Sequence, residues 1–297
     1  MKLITPADLQ AAASHAQILD VRLEEDFECC YVPGATNNCV YEVAFKDRLQ
    51  ENIPDPQAFI CIYGQSDASH EASMAAEKLK RAGFTDVRLL EGGLDAWKKA
   101  GLPVEGKGGE QPTPAPPHGR KEIDLQESRL EWLGRNLLNK HCGKIALKSG
   151  SLEFDHGQVT GGEIVIDMNA ITCDDLQGHP MHDVLVHHLR SDDFFDTEVH
   201  PEARLVIREA KPVGDSAPGS PNLQVKADLT LKGITEPVEF TASAGLDDQG
   251  RPAAQAAFAI DRTRWKVLYG SGRFFARLAG HLVNDLIELQ IRLVCKA

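Results

Sequence analysis

Seventeen residues, EGKGGEQPTPAPPHGRK from Glu105 to Lys121, constrain the fold more than any other stretch of this sequence. Gly, Pro and polar residues dominate them, and no apolar periodicity survives. Repeated X-Pro steps favour extended backbone, so the stretch reads as a linker. It divides the 297 residues into a first domain at 1–105 and a second at 122–297, with the linker proper at 106–121. The hydrophobic period differs on its two sides.

Before the linker, short apolar runs alternate with helical patterns. AQILDVR, FICIY and DVRLLEGG read as strands, while EASMAAEKLKRAGF and LDAWKKAG read as helices with Gly stops. Strand–helix alternation predicts an α/β domain, a parallel sheet with helices on both faces. After the linker the period becomes two. SRLEWLG, GKIALKSGSLEF, GGEIVIDM, EARLVIREA, LQVKADLTL, PVEFTASAGL, AAFAIDR and LIELQIRLV are separated mostly by turn chemistry such as FDHGQVTGG and LKGITEP. That pattern predicts an all-β antiparallel barrel or sandwich of about eight strands. VGDSAPGSPN, 213–222, reads as a loop inside the second domain.

A net charge of −12 argues against a general phosphate-backbone binder, so no nucleic-acid partner is expected. No window approaches the roughly 20 apolar residues of a membrane helix, and no stable membrane insertion is expected. MKLITPADLQAAASHAQILD does not read as a signal peptide. Seven cysteines without a C-x-x-C pair read as free thiols. The expected compartment is the cytoplasm.

Two signatures in the first domain, ILDVRLEEDFECCYVPGATN and LLEGGLDAWKKAGLPVE, resemble the rhodanese family. The resemblance implies sulfur transfer: a Cys thiolate takes a sulfane sulfur as a persulfide and passes it from a donor to an acceptor. Such a thiolate needs inward-pointing N–H groups at a helix start. Cys61-Ile-Tyr-Gly-Gln-Ser-Asp resembles the family's loop in one register, making Cys61 the candidate nucleophile and an active thiosulfate or persulfide sulfurtransferase the alternative function. Counted back from the helix, Gly64 holds the family's cysteine position instead, and the module is degenerate. Cys61 is then a small buried strand residue. No Arg or Lys lies between Cys61 and Lys78 to attract an anion. Cys29, Cys30 and Cys39 are weaker candidates. Asp20 and Arg22 read as an ion pair at a strand end, and Trp97 as core.

In the second domain EIDLQESRLEW, GKIALKSGSLEF…GGEIVIDMNAIT, HHLRSDDFFDTEVHPEARLVI and ADLTLKGITEPVEF resemble the YceI-like, polyisoprenoid-binding group. The resemblance covers about 122–296 and implies a lipocalin-like barrel holding an isoprenoid chain, such as a quinone or polyprenyl phosphate. A barrel of about eight strands either holds one slender ligand or is filled by side chains, and periodicity does not distinguish the two. The alternation assigns Leu130, Trp132, Ile164, Ile166, Met168, Leu223, Val225, Leu229, Leu289 and Ile291 to the lumen. DRTRWKVLYGSGRFF concentrates cations in an acidic chain, and Arg264 with Trp265 is the expected headgroup site. His179, His182, His187, His188 and His200 lack metal-ligand spacing, so no metal is expected; their segment reads as a helix capping one barrel end. No cofactor is required. The partners expected are an apolar lipid, a sulfur donor or acceptor, and a second copy of the chain in a homodimer.

Overall fold

The computed structural model describes residues 2–108, 115–214, 216–217, 219–278 and 281–296. The chain forms two compact units that divide within the Pro-rich stretch.

The first unit runs β1 (Lys2–Ile4), α1 (Pro6–Ala12), β2 (Gln17–Asp20), α2 (Glu24–Cys29), β3 (Thr36–Asn37), α3 (Phe45–Asn52), β4 (Phe59–Tyr63), α4 (Glu71–Arg81), β5 (Asp86–Leu90) and α5 (Gly93–Lys99). Its five strands are parallel in the order β1-β5-β4-β2-β3. Because side chains alternate across a strand, the sheet feeds two cores. Ile60 and Ile62 face Phe45 and Leu49 of α3 and Ala75 and Leu79 of α4. Cys61 and Tyr63 face the opposite way, towards Leu9 of α1 and Leu94 and Trp97 of α5. Residues beyond α5 still belong to this unit, since Glu105 pairs with Tyr31 and the N–H of Lys107 donates to Glu28 O.

The second unit comprises β6 (Gly119–Glu122), β7 (Arg129–Arg135), β8 (Lys140–Asp155), β9 (Gln158–Ile171), α6 (Met181–Arg190), β10 (Glu202–Pro212), β11 (Leu223–Leu231), β12 (Ile234–Leu246), β13 (Pro252–Asp261) and β14 (Leu286–Val294), with a 3-10 turn at Arg262–Trp265. Strands β8-β7-β14-β13-β12-β11-β10-β9 form an antiparallel ring that closes through β8–β9 pairing, and β6 adds to the far half of β8. The ring is an eight-stranded barrel. Two hairpins turn through consecutive residues with positive φ, His156–Gly157 and Lys232–Gly233, the backbone that two-residue type I′ turns require. At the seam Gly162 has φ +159, and a Cβ there would lie 2.7 Å from Ser151 O. Register shifts along β8–β9 bend the strands around the ring.

In the first unit the end of β2 is tied by a buried ion pair. Arg22 Nη2 lies 2.7 Å from Asp20 Oδ2 and also donates to Cys30 O at 2.7 Å, while Nη1 donates to Gln65 Oε1 at 2.9 Å. Asp20 is fully buried. Replacing Arg22 by Ala therefore strands a carboxylate, with an expected loss of about 3–5 kcal/mol in urea unfolding at neutral pH. A loss below about 1 kcal/mol would mean that the pair behaves as a surface one.

Candidate functional site

A cavity of about 270 Å³ opens at the barrel end that carries α6. The alternation that makes the barrel also lines this chamber. Leu130 and Trp132 of β7, Ile166 and Met168 of β9, Leu229 of β11 and Leu289 of β14 face into it. From above, Leu185 and Leu189 of α6 and the rings of Phe194 and Phe195 close over it. Helix α6 thus caps one end of the barrel, with its apolar face inward.

The chamber stops partway down the barrel. Ile164, Leu223, Val225 and Ile291, expected in the same lumen, line a separate void of only about 40 Å³. The division falls between Ile164 and Ile166 on β9 and between Leu289 and Ile291 on β14. On β13, Phe258 lies between Ile260 of the upper chamber and Ala256 of the lower void. Its ring stacks on Phe240 with centroids 4.2 Å apart. The residues that the alternation assigns to one lumen thus line two separate compartments, and Phe240 of this stack lines the lower one.

The polar groups of the chamber gather at its mouth. Arg135, Asn136, His141, His188, Tyr269 and His281 lie there. Tyr269 Oη and His281 Nδ1 are 3.0 Å apart, and the His188 ring meets Tyr269 edge-on at 4.4 Å. Arg135 is paired with Glu288 at 2.8 Å, and His141 with Asp175 at 2.8 Å. Burial would raise the Asp175 carboxyl, but the Cys142 N–H and His141 outweigh it and bring it down to about 2.

Among the described lining residues, Arg262 is the one cation that is fully buried. Its guanidinium donates to Val267 O, Asn284 O and Val283 O at 2.6, 3.0 and 3.1 Å, and lies 5.7 Å from the Phe194 ring centre. Burial lowers its pKa from the ordinary guanidinium range, against Asp285 and Asp261; an arginine nonetheless stays charged. It knots three loop carbonyls into the chamber wall. The headgroup site expected at Arg264 and Trp265 is corrected accordingly. Arg264 turns away to Glu236, 2.8 Å distant, and Trp265 is fully buried with its indole N–H on Leu229 O at 2.9 Å. Neither lines the chamber. Tyr269, expected to flank the headgroup site in DRTRWKVLYGSGRFF, does reach the mouth; His281, which no periodicity marks, comes from a loop whose path no repeat reveals.

The first unit's candidate loop joins β4 to α4. Cys61 lies in the middle of β4, with no exposed surface, paired with Ile18 and Arg88 across the sheet. Burial pushes its thiol up to about 12, against the opposing charge of Arg88. The loop begins three residues later, at Gly64. A Cβ on Gly64 would lie 2.5 Å from both Cγ and Oε1 of Glu71. That carboxylate accepts from the Gln65 N–H at 2.6 Å, the Ser69 hydroxyl at 3.1 Å and the Tyr41 hydroxyl at 3.1 Å. Glu71 stands in the first turn of α4, where a negative charge meets the helix N-terminus. The loop is thus occupied by the protein's own anion. The register that made Cys61 a loop nucleophile is corrected: strand pairing continues through Tyr63, which holds the thiol below the loop.

Among the described residues, His118, Asp155 and His156 bring ligand atoms within 4.8 Å of one another, all exposed. This group lies outside the histidine-rich segment, and its ring-to-carboxylate contacts are 3.4 and 2.7 Å.

Residues 122–295 match the YceI-like domain family, more than half of the chain, and residues 5–100 match the Rhodanese-like domain family. The chain belongs to the YceI-like family. Among curated relatives, a UPF0312 protein of Shewanella denitrificans is 34% identical over 93 residues, which are 31% of this chain and 44% of that protein. The adenylyltransferase and sulfurtransferase UBA4 of Candida albicans is 27% identical over 105 residues, 32% of this chain and 23% of that protein. The chain thus spans half or less of these relatives' lengths. A solved polyisoprenoid binding domain from Saccharophagus degradans is similar at TM-score 0.45 and 16% identity, covering 61% of this chain and 99% of that one.

The geometry of Cys61 has a direct consequence. Iodoacetamide at mildly alkaline pH is expected to leave Cys61 unmodified in the native protein and to alkylate it in urea, read by peptide mass spectrometry. Native modification of Cys61 at the rate of a free thiol would contradict its burial.

Proposed function

We propose that this YceI-like protein binds one isoprenoid-type lipid, a quinone or a polyprenyl phosphate, with its prenyl tail in the barrel chamber. The carrying observation is the chamber's polarity: Leu, Ile, Met and Trp below, His, Tyr, Asn and Arg at one open end. An amphiphile is held in one orientation by such a gradient, with its tail gaining about 25 cal/mol per Å² removed from water. The family resemblance implies the same ligand class. A volume of about 270 Å³ is that of about nine waters, enough for a short prenyl segment. A longer tail reaches Ile164, Val225 and Ile291 when the Phe240–Phe258 stack parts.

The rhodanese-like domain is read as a module without thiol chemistry at Cys61. Its support is the buried, high-pKa thiol and the Glu71 carboxylate lodged beside Gly64. Cytoplasmic residence belongs to the same reading. All seven cysteines are free, and among the described residues no helix is long and apolar enough to cross a membrane.

Organic extraction of the purified full chain, followed by mass spectrometry, tests the binding. About one prenyl compound per chain is expected. Met168→Trp, which fills the chamber, is expected to lower that yield about tenfold, with the unfolding midpoint reporting that the barrel still forms. An extract without an apolar molecule, or one unchanged by Met168→Trp in a folded protein, would overturn the reading.

A further inference from the structure

Two segments at the chamber mouth hold large apolar side chains in solvent. The β7–β8 turn presents Leu137 and Leu138, 82% and 88% exposed. The Asn136 side chain accepts from the N–H groups of Leu138 and Asn139 at 3.0 and 2.7 Å, so this turn has a defined shape. The loop beyond Trp265 presents Phe274 and Phe275, 55% and 47% exposed. Their N–H groups both donate to the carbonyl of Ser271, a fully buried residue. The segments are joined near the mouth. The Asn284 N–H donates to Arg135 O, and the Val283 N–H donates to Gly270 O, each at 2.8 Å. Asn136 and Tyr269, one from each segment, line the chamber. Scattered exposed apolar residues are ordinary, but here four lie on two hydrogen-bonded segments beside the opening of an apolar chamber.

The charge of these segments runs against that of the chain. The protein carries −12 overall, yet 135–141 and 262–278 contain no Asp or Glu and seven Lys or Arg. Arg135, Arg264 and Arg273 are paired with acids of neighbouring strands and loops. Lys140, Lys266 and Arg277 have no ion-pair partner among the described residues. Asp183, Asp192 and Asp193 belong to the α6 crossover between β9 and β10, which also exposes Met181 and Val184, whereas the two segments above carry no acid.

We propose that the two segments form a docking lip that lays the chamber mouth against an anionic lipid bilayer. Leucine and phenylalanine side chains enter the boundary between headgroups and acyl chains, while unpaired cations meet the lipid phosphates. Docking so oriented gives a prenyl tail a route between bilayer and chamber that avoids water. That route rests on the reading of the chamber as a lipid site; the docking itself does not.

Co-sedimentation of the full chain with phosphatidylcholine vesicles, with and without phosphatidylglycerol, tests the lip. The chain is expected to pellet with the phosphatidylglycerol vesicles, and less with phosphatidylcholine alone or in high salt. Leu137→Ser with Leu138→Ser, or Phe274→Ser with Phe275→Ser, is expected to reduce the bound fraction about tenfold, while Val43→Ser in the first unit leaves it unchanged. None of the four lip side chains lines the chamber, so these variants retain any co-purified lipid. Pelleting with neither vesicle, or equal pelleting of wild type and lip variants, would overturn the proposal. So would a dimer that dissociates in the lip variants while no vesicle is bound, since the patch would then cover a second copy. Lip-dependent pelleting by a chain whose organic extract is empty would remove the lipid reading of the chamber and leave the docking surface standing.

Discussion

Everything in the second unit depends on the closure of its sheet between β8 and β9. A twisted antiparallel sheet of eight strands has two faces until its edges meet; afterwards it has an inside and an outside. The seam is demanding because the two long strands must bend as they pair. Register shifts along β8 supply the bend, and Gly162 leaves room for the Ser151 carbonyl where a side chain would collide. Once closed, alternation sends Leu130, Trp132, Met168 and Leu289 inward without further instruction. The chamber is a consequence of closure together with how far the inward side chains of the eight strands fill the interior.

The roof depends on a second interaction, the buried Arg262. A buried cation is costly, and this one is accommodated by Asp285 at 3.6 Å and by three carbonyls from the two ends of the β13–β14 connection. The arrangement fixes the path of the loop after β13 and therefore places Tyr269 and His281 at the mouth. The buried guanidinium is thus committed to Asp285 and to backbone, while Arg135, Asn136, Tyr269 and the imidazoles remain at the mouth.

Much of this was legible in the sequence. Period-two segments, turn-forming stretches such as FDHGQVTGG and LKGITEP, and the Pro-rich break carry their own geometry, so the two folds and the inward faces of β7, β9, β11 and β14 could be read. What could not be read depends on contacts between distant residues. How far down a barrel a void extends is set by the summed volumes of side chains on eight strands; Ile164 and Ile166 are adjacent inward positions, yet only one meets the chamber. Arg262 and Arg264 are two residues apart, and the 3-10 turn sends one to the interior and the other to Glu236. In the first unit the apolar run ending at Tyr63 announced a strand, but whether Cys61 or Gly64 began the loop was a matter of register. Glu71 shapes the loop there: a carboxylate in the first helical turn fills the space that a side chain at Gly64 would need, a relation between residues seven apart that no periodicity encodes.

The central claim is that an apolar, unfilled chamber lies under α6. Diffraction from crystals of lipid-extracted protein under xenon pressure tests it most directly, since xenon enters dry apolar cavities. The account predicts xenon density among Trp132, Met168 and Leu289. Absence of xenon there, with those side chains in contact across a closed interior, would contradict it.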